Sequence, residues 1–246
     1  MSNTPFDLIA FDADDTLWHN ERSYRHGRER FREILAAAGV VGSEEEIEER
    51  VNATELENIR YYGYGVSSFV LSLIETAIAL TDGGIAGSDL RELIALAKQM
   101  LTEEVELFPG ARDAVTVLAR SYPLILITKG DLLHQTSKVD RSGLRASFRG
   151  IEVVSHKTRE VYEGVLSRQA VPADRFLMVG NSLRSDILPV LEAGGWAVYV
   201  PAELSWSHEH ADLPEGARDR YFEISSLDEL PGLVEGIRSG AGNAHP

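Results

Sequence analysis

Five short apolar runs recur along the chain: LIAF (8–11), LILI (124–127), IEVV (151–154), FLMV (176–179) and WAVYV (196–200). Each has the length of a strand, and several are rich in β-branched residues. Their apolar residues are consecutive rather than alternating, as expected for strands buried on both faces of a parallel sheet. The stretches between the later runs carry helical spacing, as in 158–170 and in 183–194, which ends at Gly194-Gly195. Strand, helix, strand in alternation predicts a doubly wound α/β core.

The segment from about 20 to 106 breaks that rhythm and holds almost no strand pattern. Ser43 followed three residues later by Glu46 predicts a capping box at a helix start. The stretches 66–80 and 88–107 carry apolar residues at helical spacing, and turn-like sequences (YYGYGVSS, TDGGIAGS) separate them. Pro109-Gly110 marks the return to the core, followed by a helix over 111–120 and the second core strand. The expected architecture is α/β: a Rossmann-like parallel sheet with helices on both faces, formed by 1–19 and 107–246, with an all-helical unit inserted at 20–106.

Composition narrows the partners. The 246 residues, 43% hydrophobic and 26% charged, fit a soluble globular protein. A net charge of -15 argues against nucleic-acid or anionic-membrane partners while leaving an anionic small-molecule substrate open to a locally positive site. With no cysteine, disulfides and thiolate chemistry are excluded. No run approaches a membrane span, and the first residues lack the pattern of a signal peptide, so cytoplasmic residence is the expectation. The sequence fixes no oligomeric state.

The chemistry gathers where the apolar runs stop. In open α/β sheets ligands bind beyond the carboxyl ends of the strands. After LIAF come Asp12, Asp14 and Thr16. After LILI come Thr128 and Lys129, after IEVV come His156 and Lys157, and after FLMVG come Asn181, Ser182 and Asp186. Acids, a hydroxyl, lysines and an amide on one sheet edge are the makings of a Mg²⁺ and phosphate site: hard oxygens for the ion, cations and donors for phosphoryl oxygens.

With these residues in place, the chain resembles the phosphatase branch of the haloacid dehalogenase superfamily. FDADDTL is similar to that family's Asp-x-Asp-x-Thr motif, Thr128 to its strand-end Thr or Ser, Lys157 to its lysine, and VGNSLRSDI to its fourth motif. The inserted helical unit falls where the family carries a helical cap. The resemblance implies a Mg²⁺-dependent phosphatase acting on a small phosphorylated metabolite. Asp12 would be the nucleophile that becomes an aspartyl-phosphate, and Asp14 the general acid and base. Thr128 and Lys157 would complete the catalytic set, and Thr16 would brace the loop. Thr128, Lys129, Lys157 and Trp18 would meet the phosphate or substrate. Asp12, Asp14 (through its backbone carbonyl), Asn181 and Asp186 would hold the metal, and the cap would exclude water during the first transfer.

Two positions depart from the family pattern. Asn181 stands where an Asp is common, which implies weaker ion binding or a larger share for Asp186. Asp15 stands where Gly is common, and either tunes the ion or faces solvent. Arg22, Arg25, Arg28 and Arg32 read as a salt-bridged helix face, and SEEEIEER as a solvated one. His208 and His210 lack a third ligand. Three other functions share much of this pattern. A 2-haloacid dehalogenase would also use an Asp nucleophile, but Asp14 argues for phosphoryl transfer. A phosphosugar mutase would share the core residues, and an inactive binding protein of the same fold would be consistent with Asn181.

Overall fold

The structure, a computed structural model, describes residues 4–202 and 219–239. Six strands form one parallel sheet: β1 (Leu8–Phe11), β2 (Leu124–Lys129), β3 (Gly150–Val154), β4 (Phe176–Gly180), β5 (Trp196–Tyr199) and β6 (Tyr221–Glu223). Their order is β3-β2-β1-β4-β5-β6, so β1 is central and the chain reverses direction across it between β3 and β4. That reversal places the topological switch point beside the end of β1, where the crevice of such sheets lies.

Alternate residues of each strand feed opposite layers, as a period of two demands. Ile9, Phe11, Leu126, Leu177 and Val179 join the layer that includes Ala114 and Val115 of α5 (Ala111–Leu118) and Val234 of α9 (Leu230–Arg238). Leu8, Ala10, Ile127 and Met178 join the layer that includes Tyr162 and Val165 of α7 (Arg159–Gln169) and Val190 of α8 (Leu188–Glu192). The consecutive apolar residues of β1 and β4 are thereby buried on both faces. At the sheet edge the rule relaxes. β3 is only half-buried along its length, and its Glu152 pairs with Arg168 at 2.8 Å. β6 is absent from the strand pattern read in the sequence: it is three residues long and buries only Phe222.

The chain divides into two compact units. One comprises residues 1–21, 105–129 and 135–246; the other comprises 22–104 together with 130–134. The outgoing and returning chains pair in the first unit: His19 N–H donates to the Glu106 carbonyl (3.0 Å) and Phe108 N–H to the Leu17 carbonyl (2.9 Å). The second unit holds α1 (Glu21–Ala37) from Arg22 onward, α2 (Glu44–Tyr62), α3 (Val66–Leu80) and α4 (Gly87–Thr102). Phe31, Leu35, Val51, Phe69, Leu73 and Leu93 make its core. α4 ends five residues before the helical pattern at 88–107 predicts, because the chain then turns into the returning segment.

The capping box at Ser43 forms: its hydroxyl accepts from Glu46 N–H (3.2 Å), and the Glu46 carboxylate accepts from Ser43 N–H (2.8 Å). The acidic run behind it is not simply solvated. Arg32 pairs with Glu44 (3.0 Å) and Glu48 (2.8 Å), and Arg28 with Glu48 (2.9 Å) and Glu55 (2.6 Å). These bonds tie α1 to α2.

Gly110, at the start of α5, has φ +76°, and a Cβ there would lie 2.4 Å from Asp228 Oδ1 and 2.8 Å from its backbone nitrogen. Gly110→Ala is expected to lower stability by about 1–3 kcal/mol, from left-handed strain and overpacking together. Urea unfolding checks this; an unchanged midpoint would contradict it.

Candidate active site

The central strand delivers its acid directly. Asp12 follows β1, and its N–H extends the sheet pairing to the Val179 carbonyl (2.8 Å). The side chain is almost wholly buried and held from two directions. Lys157 Nζ donates to Oδ1 at 2.5 Å, and the Thr16 hydroxyl lies 2.9 Å from Oδ2. Lys157 is buried as well and also donates to Asp186 Oδ1 at 2.6 Å. Asp186 Oδ2 accepts from Ser182 N–H (3.0 Å). The result is a buried carboxylate–ammonium–carboxylate bridge joining residues from beyond β1, β3 and β4.

Burial opposes the charge on Lys157, but its two carboxylates outweigh that and hold its pKa above the ordinary value. Burial pushes Asp12 up to about 7 against the pull of Lys157, with further repulsion from Asp186 and Asp14. Asp12 is therefore a carboxylate short of positive charge.

Local backbone explains how Asp186 arrives. Residues Leu183–Ile187 form a π-type turn, a geometry often found at functional sites. The Ser182 hydroxyl accepts from Ser185 N–H (2.9 Å), and the Tyr162 hydroxyl donates to the Ser185 carbonyl (3.0 Å). Gly180 clears the way: a Cβ there would sit 2.4 Å from Asp186 Cγ. The continuous helix expected at 183–194 is thus this turn followed by α8.

Asp14 is embedded differently. Oδ1 accepts from Lys138 Nζ (2.5 Å) and Trp18 Nε1 (2.7 Å), and Oδ2 accepts from Gln135 Nε2 (2.8 Å). Burial would raise its pKa, yet the Lys138 charge and these three donors prevail and hold Asp14 below the usual carboxylate range. Gln135 and Lys138 lie on α6 (Leu132–Ser142), and neither was picked out in the sequence. Their signal was a helix that buries Gln135 and Lys138 while exposing Leu132 and Leu133 at 65% and 81%. Such an inverted face is legible only once the fold is known.

The remaining candidates fall into place around these two acids. Thr128 is buried at the penultimate position of β2. Lys129 Nζ reaches Ser185 Oγ (3.0 Å), so it points toward the π-type turn. Asn181 Oδ1 lies 3.1 Å from the same Thr16 hydroxyl that touches Asp12. Trp18 has no exposed surface and is committed to Asp14, which makes it a brace rather than an open substrate contact. Asp15 does not simply face solvent. At φ +58° its side chain accepts from the N–H groups of Asn20 (2.9 Å) and Glu21 (3.0 Å) and caps the start of α1. His156 is exposed, and His208 and His210 lie outside the described residues.

Among the described residues no three His, Asp or Glu side chains form a metal-binding group. Asp12 and Asp186 are joined through Lys157 instead, and Asp14 is paired with Lys138. A divalent ion would have to draw on the Asp12 carboxylate, the Asp14 main-chain carbonyl and the Asn181 amide oxygen, with Asp186 beside them. These are the hard oxygens Mg²⁺ prefers. Charge agrees with that fit: three carboxylates face Lys157 and Lys138, and a phosphate dianion would deepen the deficit of positive charge.

Comparisons with known proteins identify the family and the fold. The family model described as haloacid dehalogenase-like hydrolase matches residues 6–194. A haloacid dehalogenase-like family hydrolase from Xanthomonas campestris superposes with a TM-score of 0.84 at 39% identity, covering 97% of this chain and 94% of that one. Human N-acylneuraminate-9-phosphatase is 24% identical over 93% of this chain and 94% of its own length. The glyceraldehyde 3-phosphate phosphatase of Methanothermobacter thermautotrophicus is 26% identical over 92% of this chain and 97% of its own.

Removing the shared cation of the buried bridge would strand Asp12 and Asp186 as unpaired charges. Lys157→Met is therefore expected to cost about 3–5 kcal/mol of stability. Chemical denaturation measures it; a loss below about 1 kcal/mol would contradict a buried ion bridge.

Proposed function

The chain belongs to the haloacid dehalogenase-like hydrolase family, and from that premise we propose that it is a Mg²⁺-dependent phosphatase of a small phosphorylated metabolite, working through an aspartyl-phosphate on Asp12. The observation that carries the reading is Asp12 itself: a carboxylate at the end of the central strand, buried and gripped by Lys157 and Thr16. Both curated relatives described above are phosphatases of small phosphorylated molecules by name.

The proposed chemistry assigns each group a task. An Asp12 oxygen attacks phosphorus, and Lys157 offsets the charge that builds as anion meets anion. Thr128 and Lys129, at the end of β2, supply donors to the phosphoryl oxygens. Asp14, fixed by Trp18, Gln135 and Lys138, handles the protons of the leaving oxygen and of the attacking water. Mg²⁺, held by Asp12, the Asp14 carbonyl and Asn181 with Asp186 nearby, would contribute further charge neutralisation when bound. The second acid, Asp14, favours phosphoryl transfer over dehalogenation, which needs no proton donor to a leaving alkoxide.

Three outcomes test this. A panel of phosphorylated metabolites is expected to release inorganic phosphate with Mg²⁺ and to fall silent with EDTA, activity returning when Mg²⁺ is restored in excess; EDTA-insensitive turnover would contradict the metal's part. Asp12→Asn, near-isosteric, should lower kcat by roughly 10³-fold or more while leaving the far-ultraviolet circular dichroism unchanged; a turnover close to wild type would refute the covalent scheme. Asn181→Asp should reduce the Mg²⁺ concentration for half-maximal activity, and an equal or higher requirement would mean that position 181 does not ligate the ion.

A further inference from the structure

Gln135 is held in one orientation and leaves one polar atom over. Its Nε2 donates both to Asp14 Oδ2 (2.8 Å) and to the Lys129 main-chain carbonyl (2.8 Å). Both neighbours can only accept, so the amide cannot be flipped without setting oxygen against oxygen. Oε1 is thereby fixed as the amide atom turned away from Asp14 and the Lys129 carbonyl. It is buried, and among the described residues it has no hydrogen-bond partner. A buried acceptor left unpaired costs about 1–3 kcal/mol, so a donor belongs there when the protein is at work.

Geometry specifies how near that donor sits to Asp14. Across an amide, nitrogen and oxygen are about 2.3 Å apart by standard bond lengths. Oε1 therefore lies within about 5.1 Å of Asp14 Oδ2, and a hydroxyl-type oxygen at about 2.8 Å from each spans up to about 5.6 Å. The separation is one that a single water spans. Asp14 Oδ2 accepts from Gln135 and retains acceptor capacity, since a carboxylate oxygen takes two hydrogen bonds. Lys138 and Trp18 both donate to Oδ1, not to Oδ2. A water there would point both its hydrogens at acceptors, one at Gln135 Oε1 and one at Asp14, and present its lone pairs elsewhere.

We propose that Gln135 is the residue that orients the hydrolytic water, holding it with Asp14 for attack on the phosphorylated Asp12. This rests on the aspartyl-phosphate reading given above. In the step, the water oxygen forms a bond to phosphorus and one water proton passes to Asp14. The bond between phosphorus and the Asp12 oxygen breaks, its electron pair returns to the Asp12 carboxylate, and inorganic phosphate is released. Gln135 itself gains and loses no proton. Formation of the phospho-enzyme uses no water and does not call on Oε1. Gln135 Oε1 therefore serves the second half-reaction alone, while the Nε2 bond to Asp14 bears on the first only where the leaving oxygen needs a proton, which p-nitrophenolate does not.

The test is rapid-mixing kinetics with ³²P-labelled p-nitrophenyl phosphate on wild type, Gln135→Met and Gln135→Asn. Met keeps the side-chain length without either polar atom; Asn keeps the amide but withdraws it by one methylene. Both variants are expected to release about one equivalent of p-nitrophenol per enzyme in a fast burst, then turn over about 100-fold more slowly than wild type. Acid quenching should trap label on Asp12. The Asn variant carries the test if the Met variant does not fold. Steady-state turnover at the wild-type rate, or burst and steady state slowed equally without label on Asp12, would overturn the proposal for Gln135. Wild-type enzyme that releases no p-nitrophenol, or in which no variant ever carries label, would overturn the parent reading instead.

Discussion

The structure of the site depends on one buried interaction, the bridge of Asp12 and Asp186 through Lys157. Three strand ends must meet for it to form, and none of its members tolerates solitude in a low-dielectric interior. Its geometry therefore sets demands around it. Gly180 must lack a side chain so that Asp186 can approach, the chain after β4 must take a π-type turn, and Ser182 and Tyr162 must pin that turn. Each positions a charge.

The second acid is managed by the opposite strategy. Asp12 has one cationic partner, shared with another acid, and its pKa is pushed up to about 7 by burial. Asp14 has a lysine nearly to itself, together with an indole and an amide, and is held below the ordinary range. Two carboxylates two residues apart thus differ in environment as much as they differ in proposed task.

Much of this was legible in the sequence because the strands β1, β2 and β4 are buried on both faces and so write continuous apolar runs. The polar residues just past each run then announce the sheet edge. Asp12, Thr128, Lys157, Asn181 and Asp186 could be placed at or just past strand ends that way, and the capping box at Ser43 followed from its spacing. What stayed hidden lacked a local period. β6 is too short, and β3 shows the same apolar letters as the buried strands while lying half-exposed. Gln135 and Lys138 sit on a helix whose leucines face outward, against the usual pattern. Asp15 could not be placed, since its capping of α1 depends on a left-handed backbone that no spacing predicts.

The central claim is that Asp12 accepts a phosphoryl group covalently. A crystal structure of the protein with Mg²⁺ and beryllofluoride tests it most directly. The account predicts beryllium bonded to an Asp12 carboxylate oxygen, fluorines near Lys157 and Thr128, and Mg²⁺ beside Asn181. A beryllofluoride-treated crystal in which Asp12 remains unmodified, still bonded only to Lys157 and Thr16, would contradict it.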